Sequence, residues 1–250
     1  MTRPRAVDSL AFVGTSLFGP AQSYDDLRRG LDENAIDAAV VAAARPVNYH
    51  LRPANDEIAQ LQEADTERVV GLGRVDANRA DAADETRRCL DTLALHGILL
   101  HPREEVFPVN APRVDAVLEV CADRGAPVVV AAGYPWVSEA LQVAELATRH
   151  PTVTIAMTHG GQQNSSGLGQ MDAVLALRRC PNVLVQTNGV YRQDFIEGVV
   201  REFGGARVMF ASASPHFDLS YEVLRVRLAE FSEGDKAQVL GGTAGRVFSL

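Results

Sequence analysis

The sequence predicts an α/β protein built as a single (β/α)8 TIM barrel, one domain spanning residues 1–250. Three observations predict it. Short, nearly continuous apolar runs of the kind that form strands buried on both faces recur eight times. Amphipathic segments separate them, as helical crossovers between parallel strands require. No linker rich in Pro, Gly or Ser divides the chain, so the repeats are expected to close as one barrel rather than form two domains. An open doubly wound sheet is the alternative, but no G-x-G-x-x-G follows the first strand and "GLGRVD" lacks the third glycine.

In chain order the strands are expected at "LAFVG" (10–14), "AAVVAAA" (38–44), "VVGLGRV" (69–75), "GILLH" (97–101), "PVVVAAG" (127–133), "VTIAMTH" (153–159), "VLVQTN" (183–188) and "RVMFAS" (207–212). Between the fourth and fifth, Val114, Val117, Leu118 and Cys121 recur at helical spacing, with Gly125 where a C-terminal stop belongs. Between the fifth and sixth, a helix is expected from Ser138, as its cap, to His150, with Pro151 ending it. In such a barrel chemistry gathers at the C-terminal ends of the strands. Those ends are polar here: "RPVNYH", "RVDAN", "HPREE", "GYPW", "HGGQQN", "TNGVY" and "SASPHFD".

Composition narrows the function. A formal charge of −8 argues against a nucleic-acid surface, which needs clustered Lys and Arg. Cys89, Cys121 and Cys180 form no C-x-x-C pair and read as small apolar residues on helices, not as a disulfide or zinc framework. The opening "MTRPRAVDSLAFVG" is broken by Asp8 and Ser9 and is too short for a signal sequence, and no 18-residue apolar stretch exists. A soluble, cytoplasmic protein without a membrane or nucleic-acid partner is expected.

Six pieces carry a resemblance: "VGLGRVDANRADAADETRRCLDTLALHGILLHP", "GAPVVVAAGYP", "HPTVTIAMTHGG", "CPNVLVQTNGVY", "RVMFASASP" and "VLGGTAGRVFSL". They span nearly the whole chain, and the chain resembles the amidohydrolase-related family of metal-dependent (β/α)8 hydrolases and decarboxylases. The resemblance implies a first strand ending in D-x-H-x-H, where this chain has Asp8-Ser9-Leu10-Ala11-Phe12. It implies a lysine in the fourth strand where Leu99 stands, a histidine in the fifth where Ala131 stands, and an aspartate after the eighth where Ala213 stands. Of that set His159 remains. A catalytic zinc needs about three protein ligands, so neither a catalytic metal nor any other cofactor is expected.

What remains at the mouth supplies candidates. His159 is the candidate acid or base, with a relic histidine held by backbone or side-chain hydrogen bonds as the equal alternative. His101, Arg103, Tyr134, Trp136, Asn188, Ser214 and His216 are candidate ligand contacts. Each has a structural reading: a satisfied histidine at 101, a surface pair of Arg103 with Glu104 or Glu105, packing or oligomer contacts for Tyr134 and Trp136, and turn chemistry at Asn188-Gly189. Tyr191 and Thr187 accompany Asn188. Ser212, Ser214, His216 and Asp218 hold the residue types of a hydrolytic triad, but sequence proximity is not its geometry, and no G-x-S-x-G elbow is present. "GGQQNSSGLG" reads as a lid or a plain solvated loop, its Asn164-Ser165-Ser166 as a sequon without meaning in the cytoplasm. "GGTAG" reads as part of the closing helix rather than an anion site.

Two functions are expected from this reading. One is a metal-independent hydrolase or lyase, including a decarboxylase, acting on a small polar or carboxylated molecule. The other is a pseudoenzyme that binds a ligand or pairs with an active homologue, as a homo- or hetero-oligomer.

Overall fold

The computed structural model describes residues 5–163 and 167–250. The strands follow one another around the barrel in chain order, each parallel to the last. They are β1 (Val7–Val13), β2 (Ala38–Ala43), β3 (Val69–Arg74), β4 (Ile98–Leu100), β5 (Val128–Val130), β6 (Ile155–Met157), β7 (Val183–Gln186) and β8 (Val208–Met209). The ring closes because the chain leaving β8 runs on beside β1: Ser9 N–H donates to Phe210 O (2.9 Å), Ala213 N–H to Leu10 O (2.8 Å) and Phe12 N–H to Ser214 O (2.8 Å). The expected (β/α)8 barrel is therefore the observed one.

Alternation along the strands sorts the side chains. Val40, Ala42, Leu72, Leu99, Val129 and Ala156 fill the barrel interior. Their neighbours Val41, Ile98, Leu100, Val128 and Ile155 face the surrounding helices. Those helices are α1 (Tyr24–Glu33), α2 (Leu51–Ala64), α3 (Ala82–Arg87), α4 (Asp115–Arg124), α5 (Ala140–Arg149), α6 (Gly167–Arg179), α7 (Gln193–Phe203) and α8 (Leu219–Leu228), with the short α9 (Glu233–Ala237) and α10 (Thr243–Phe248) closing the chain. The glycines of "VVGLGRV" belong to this layer. A Cβ at Gly71 would lie 2.5 Å from the Leu95 side chain, and one at Gly73 would lie 2.6 Å from Cys89 Sγ. They let the helical layer press on the backbone of β3.

Several expected elements are trimmed. The fourth, fifth, sixth and eighth runs form strands of only two or three residues. The first strand instead begins three residues earlier, at Val7. Gly125 does end α4, in the left-handed conformation (φ 62°). The cap of α5 is not Ser138 but Glu139, whose side chain exchanges hydrogen bonds with Gln142 in a capping box. Ser138 is buried and donates to Ala131 O (2.7 Å), holding the end of β5. "GGTAG" is structural: Thr243 Oγ1 donates to Gly205 O (2.9 Å), and a Cβ at Gly241 would fall 2.0 Å from Arg5 O. The three cysteines are free and buried. Asn164-Ser165-Ser166, with the lid reading that includes it, lies outside the described residues. Among the described residues no helix is long and apolar enough to cross a membrane.

Candidate active site at the barrel mouth

A cavity of about 350 Å³ opens at the C-terminal ends of the strands. His159 sits in its wall. After β6 the chain turns sharply, with His159 (φ 56°) and Gly160 (φ 63°) both left-handed, which lifts the imidazole out of the ladder and over the cavity. Thr158 Oγ1 lies 2.6 Å from its Nδ1, and Asn188 Oδ1 accepts its backbone N–H (3.3 Å). Burial pushes the imidazole down to about 4, partly offset by a backbone hydrogen bond at Ala132 and reinforced by His216. It is neutral at pH 7. Tyr134 and Phe217 meet it edge-on, each with its ring centroid 5.7 Å away.

His101, beyond the end of β4, closes the opposite wall. Its Nδ1 accepts the Glu104 N–H (3.3 Å), which leaves the hydrogen of the neutral ring on Nε2, 3.7 Å from Glu104 Oε1. Burial, with Arg74 and His159 nearby, holds its pKa well below 6.5. His101 thus has protein partners and also lines the cavity. The expected pairing of Arg103 with Glu104 or Glu105 is not what forms. Those carboxylates turn inward to Arg74, at the end of β3, and Glu105 also takes Arg45, after β2. Arg103 instead lies over the Tyr134 ring, 5.1 Å from its centroid, and reaches its hydroxyl.

The loop after β8 does not assemble a triad. Ser212 Oγ donates to Asp8 (2.5 Å), Ser214 Oγ donates to Gln22 Oε1 (2.8 Å), His216 packs edge-on against Phe12, and Asp218 caps α8 through Tyr221 N–H (2.7 Å). The four side chains have four different partners. His216 lines the cavity, as does Asn188, whereas Ser214 is occupied by Gln22 and is not part of the wall. Trp136 is a second correction. Its backbone is left-handed (φ 67°), the indole stands 84% exposed, and it does not line the cavity. Tyr191 is likewise exposed, and Thr187 is buried against the Ala211 backbone.

The positions from which the resemblance would hold a divalent metal can be tested directly. Leu10, Phe12, Ala131 and Ala213 line the cavity and Leu99 is packed beneath it. None offers a lone pair. Among the described residues no three His, Cys, Asp or Glu side chains are grouped as a metal ion needs. The residues present do not fit such an ion.

Sequence reasoning missed Glu104, Thr158, Gln163, Phe18 and Phe217 in the wall. Glu104, Gln163 and Phe217 stand within the strand-end stretches that the sequence marks as polar, and Thr158 directly precedes one, so the available signal was the position, not the residue type. It also missed Asp8 as a buried carboxyl. Burial pushes it up to about 7 against the opposing hydrogen bonds from Ser212 and Leu10.

The profile of the Amidohydrolase family matches residues 5–250. A gamma-resorcylate decarboxylase of Rhodococcus jostii (strain RHA1) is 23% identical over 309 aligned positions, covering 97% of this chain and 94% of that protein. The alignment is longer than the 250-residue chain, so that relative carries segments absent here. The fold matches 5-carboxyvanillate decarboxylase from Sphingomonas paucimobilis with a TM-score of 0.79 at 19% identity, over 99% of this chain and 100% of that one. It matches 2,6-dihydroxybenzoate decarboxylase from Rhizobium with a TM-score of 0.78 at 17% identity, over 100% and 99%. By the extent of the profile match and by its barrel, this chain belongs to the Amidohydrolase family.

Proposed function

We propose that the protein binds a small carboxylated aromatic molecule in the barrel mouth and transforms it without a divalent metal, by decarboxylation or hydrolysis. One observation supports the reading: the side chains where the resemblance would place metal donors are apolar, while His159, Tyr134 and Arg103 line a cavity of single-ring size. Decarboxylation has support from the relatives, whose names are those of decarboxylases of hydroxylated or methoxylated benzoates. Phe12, Tyr134 and Phe217 offer walls for such a ring.

In a decarboxylation the bond between ring and carboxyl carbon breaks, CO2 departs, and the electron pair left on the ring carbon takes a proton. His159 is the group assigned to deliver it. The free imidazole, at about 4, carries little proton at pH 7. An anionic ligand beside it favours the charged form, so ligand and proton are taken up together. Turnover should accordingly rise as pH falls from neutral.

The test is CO2 release from 2,6-dihydroxybenzoate and 5-carboxyvanillate by chelator-stripped protein, with metal content measured. His159→Ala should lower kcat by roughly 10²- to 10⁴-fold. Activity that appears only after zinc or manganese is added overturns the proposal.

A second reading is ligand binding without catalysis, including service as the partner of an active homologue. The observation favouring it is that Ala213 stands where the resemblance implies a carboxylate, while the one carboxylate among the described residues of the wall, Glu104, is tied to Arg74. It predicts tight ligand binding with no turnover, and co-purification with a metal-bearing relative.

A further inference from the structure

We propose that Thr158 is a positioning residue that fixes the tautomer of His159, so that the neutral imidazole meets its ligand with an Nε2–H donor and not with a bare nitrogen. The inference rests on the aromatic-acid reading above and deepens it, because the two reactions named there ask opposite things of this ring.

The hydroxyl of Thr158 sets the tautomer. Thr158 is 2% exposed, so its hydroxyl must find its partners in the protein. Oγ1 accepts the Ala132 backbone N–H at 3.0 Å and lies 2.6 Å from His159 Nδ1. The hydroxyl also has one hydrogen of its own to give. Among the described residues its acceptor is Nδ1. Nδ1 therefore accepts, and the hydrogen of the neutral ring stands on Nε2. The opposite assignment would aim two hydrogens at Oγ1 and leave its own without an acceptor in a buried site, which is the costlier arrangement.

The other edges of the ring decide where Nε2 points. Nδ1 is turned to Thr158, and Cδ2 faces Gly189, where an added Cβ would lie 3.0 Å away. His159 keeps 8% of its surface exposed and lines the cavity, so the edge left for a ligand is that of Nε2 and Cε1. The Ala132 backbone, which favours the charged ring, lies on the Thr158 side, with its N–H bound to Oγ1.

The chemical consequence is a choice between the two reactions. Taking a proton from water requires a bare ring nitrogen in the cavity, and this tautomer presents none. Hydrolysis with His159 as its base is therefore closed. A carboxylate or phenolate oxygen, by contrast, is met by a donor. Charging the ring adds the second hydrogen at Nδ1, on the side of Thr158 and Ala132, and leaves the Nε2 hydrogen facing the ligand. Thr158 thus acts through His159 to favour decarboxylation, the reaction that needs an acid.

The experiment is nitrogen-15 NMR of labelled, metal-stripped protein at pH 7, with the His159 ring signals identified by their loss in His159→Gln. The wild type should show Nε2 protonated and Nδ1 bare, and 2,6-dihydroxybenzoate should shift Nε2 more than Nδ1. Thr158→Val keeps the shape and removes the hydroxyl. It should release the second tautomer and weaken 2,6-dihydroxybenzoate roughly 3- to 10-fold, because the donor form becomes a fraction of the population. Thr158→Ser should restore both. A hydrogen on Nδ1 in the wild type, a mixture of tautomers there, or a single Nε2–H form persisting in Thr158→Val overturns the assignment. If Thr158→Val does not fold, the wild type and Thr158→Ser decide: both must show the Nε2–H form, and either one lacking it overturns the assignment. If 2,6-dihydroxybenzoate moves neither signal while the wild type shows the Nε2–H form, the aromatic-acid reading falls and the tautomer is upheld.

Discussion

Imidazoles and carboxyls in and around the mouth titrate away from their ordinary ranges, and they bend stability in opposite directions. His101, His159 and His216 are all depressed, chiefly by burial. Below pH 6.5 the unfolded chain binds protons that the folded one refuses. The stability these histidines support is therefore complete above pH 6.5 and lost as pH falls, for His159 down to about 4. Asp8 and Glu222 are pushed up by burial to about 7 from 3.8 and 4.5. The folded state keeps protons there that the unfolded chain releases, so this contribution is present in acid and is lost as pH rises through about 7. Asp8→Asn, neutral at every pH and able to donate to Ser212 Oγ, isolates the second effect. It should melt several degrees above wild type at pH 8, the excess shrinking as pH falls toward 4. Parallel melting curves across that range would show that Asp8 is ionised in the folded protein.

The elements around the mouth are tied together by charge and held apart by one small residue. Arg74 at the end of β3 is 1% exposed and donates to Glu105 Oε1 through Nε (3.1 Å) and a terminal nitrogen (2.8 Å), to Glu104, and to Ala43 O (3.2 Å) on β2. Arg45 shares the same Glu105 oxygen. One buried carboxylate thus stands between two buried cations and joins three consecutive strand ends. Glu105→Gln leaves those cations without it and should cost roughly 3 to 5 kcal/mol in urea unfolding. A loss below about 1 kcal/mol would mean that Glu104 or water compensates. After β7, Gly189 is left-handed (φ 65°), and a Cβ there would lie 2.6 Å from Phe217 Cζ and 3.0 Å from His159 Cδ2. Gly189→Ala is expected to cost about 1 to 3 kcal/mol and to weaken 2,6-dihydroxybenzoate by displacing both rings, read by calorimetry beside the melting temperature.

At the scale of the whole molecule, the closed barrel makes every strand a support for the mouth. A ligand that binds only the folded barrel therefore stabilises all of it. At 100 times its Kd, 2,6-dihydroxybenzoate should add about 2.7 kcal/mol, a rise of about 5 to 10 °C in Tm. Chelators should leave Tm unchanged in the free and ligand-bound protein. A fall in Tm on chelation, restored by zinc or manganese, would identify a structural or catalytic cation and remove the basis of the metal-independent proposal.

The barrel was legible in the linear chain because burial on both faces writes itself into short apolar runs, and the runs at 38–44 and 183–188 need no partner to be recognised. The chain order of the strand ends likewise placed His101, His159 and Asn188 at one mouth, and Leu10, Phe12, Leu99, Ala131 and Ala213 could be read as non-donors from identity alone. Partnership was not legible. Glu104 looks like a companion for Arg103 and is Arg74's; Ser214 looks like a ligand contact and is Gln22's; Trp136 looks like a wall and stands in solvent. The reason is range. Periodicity is a property of neighbours in sequence, whereas the partner of a buried polar group is chosen by which strand ends the closing barrel brings within 3 Å, across separations such as the 204 residues between Asp8 and Ser212.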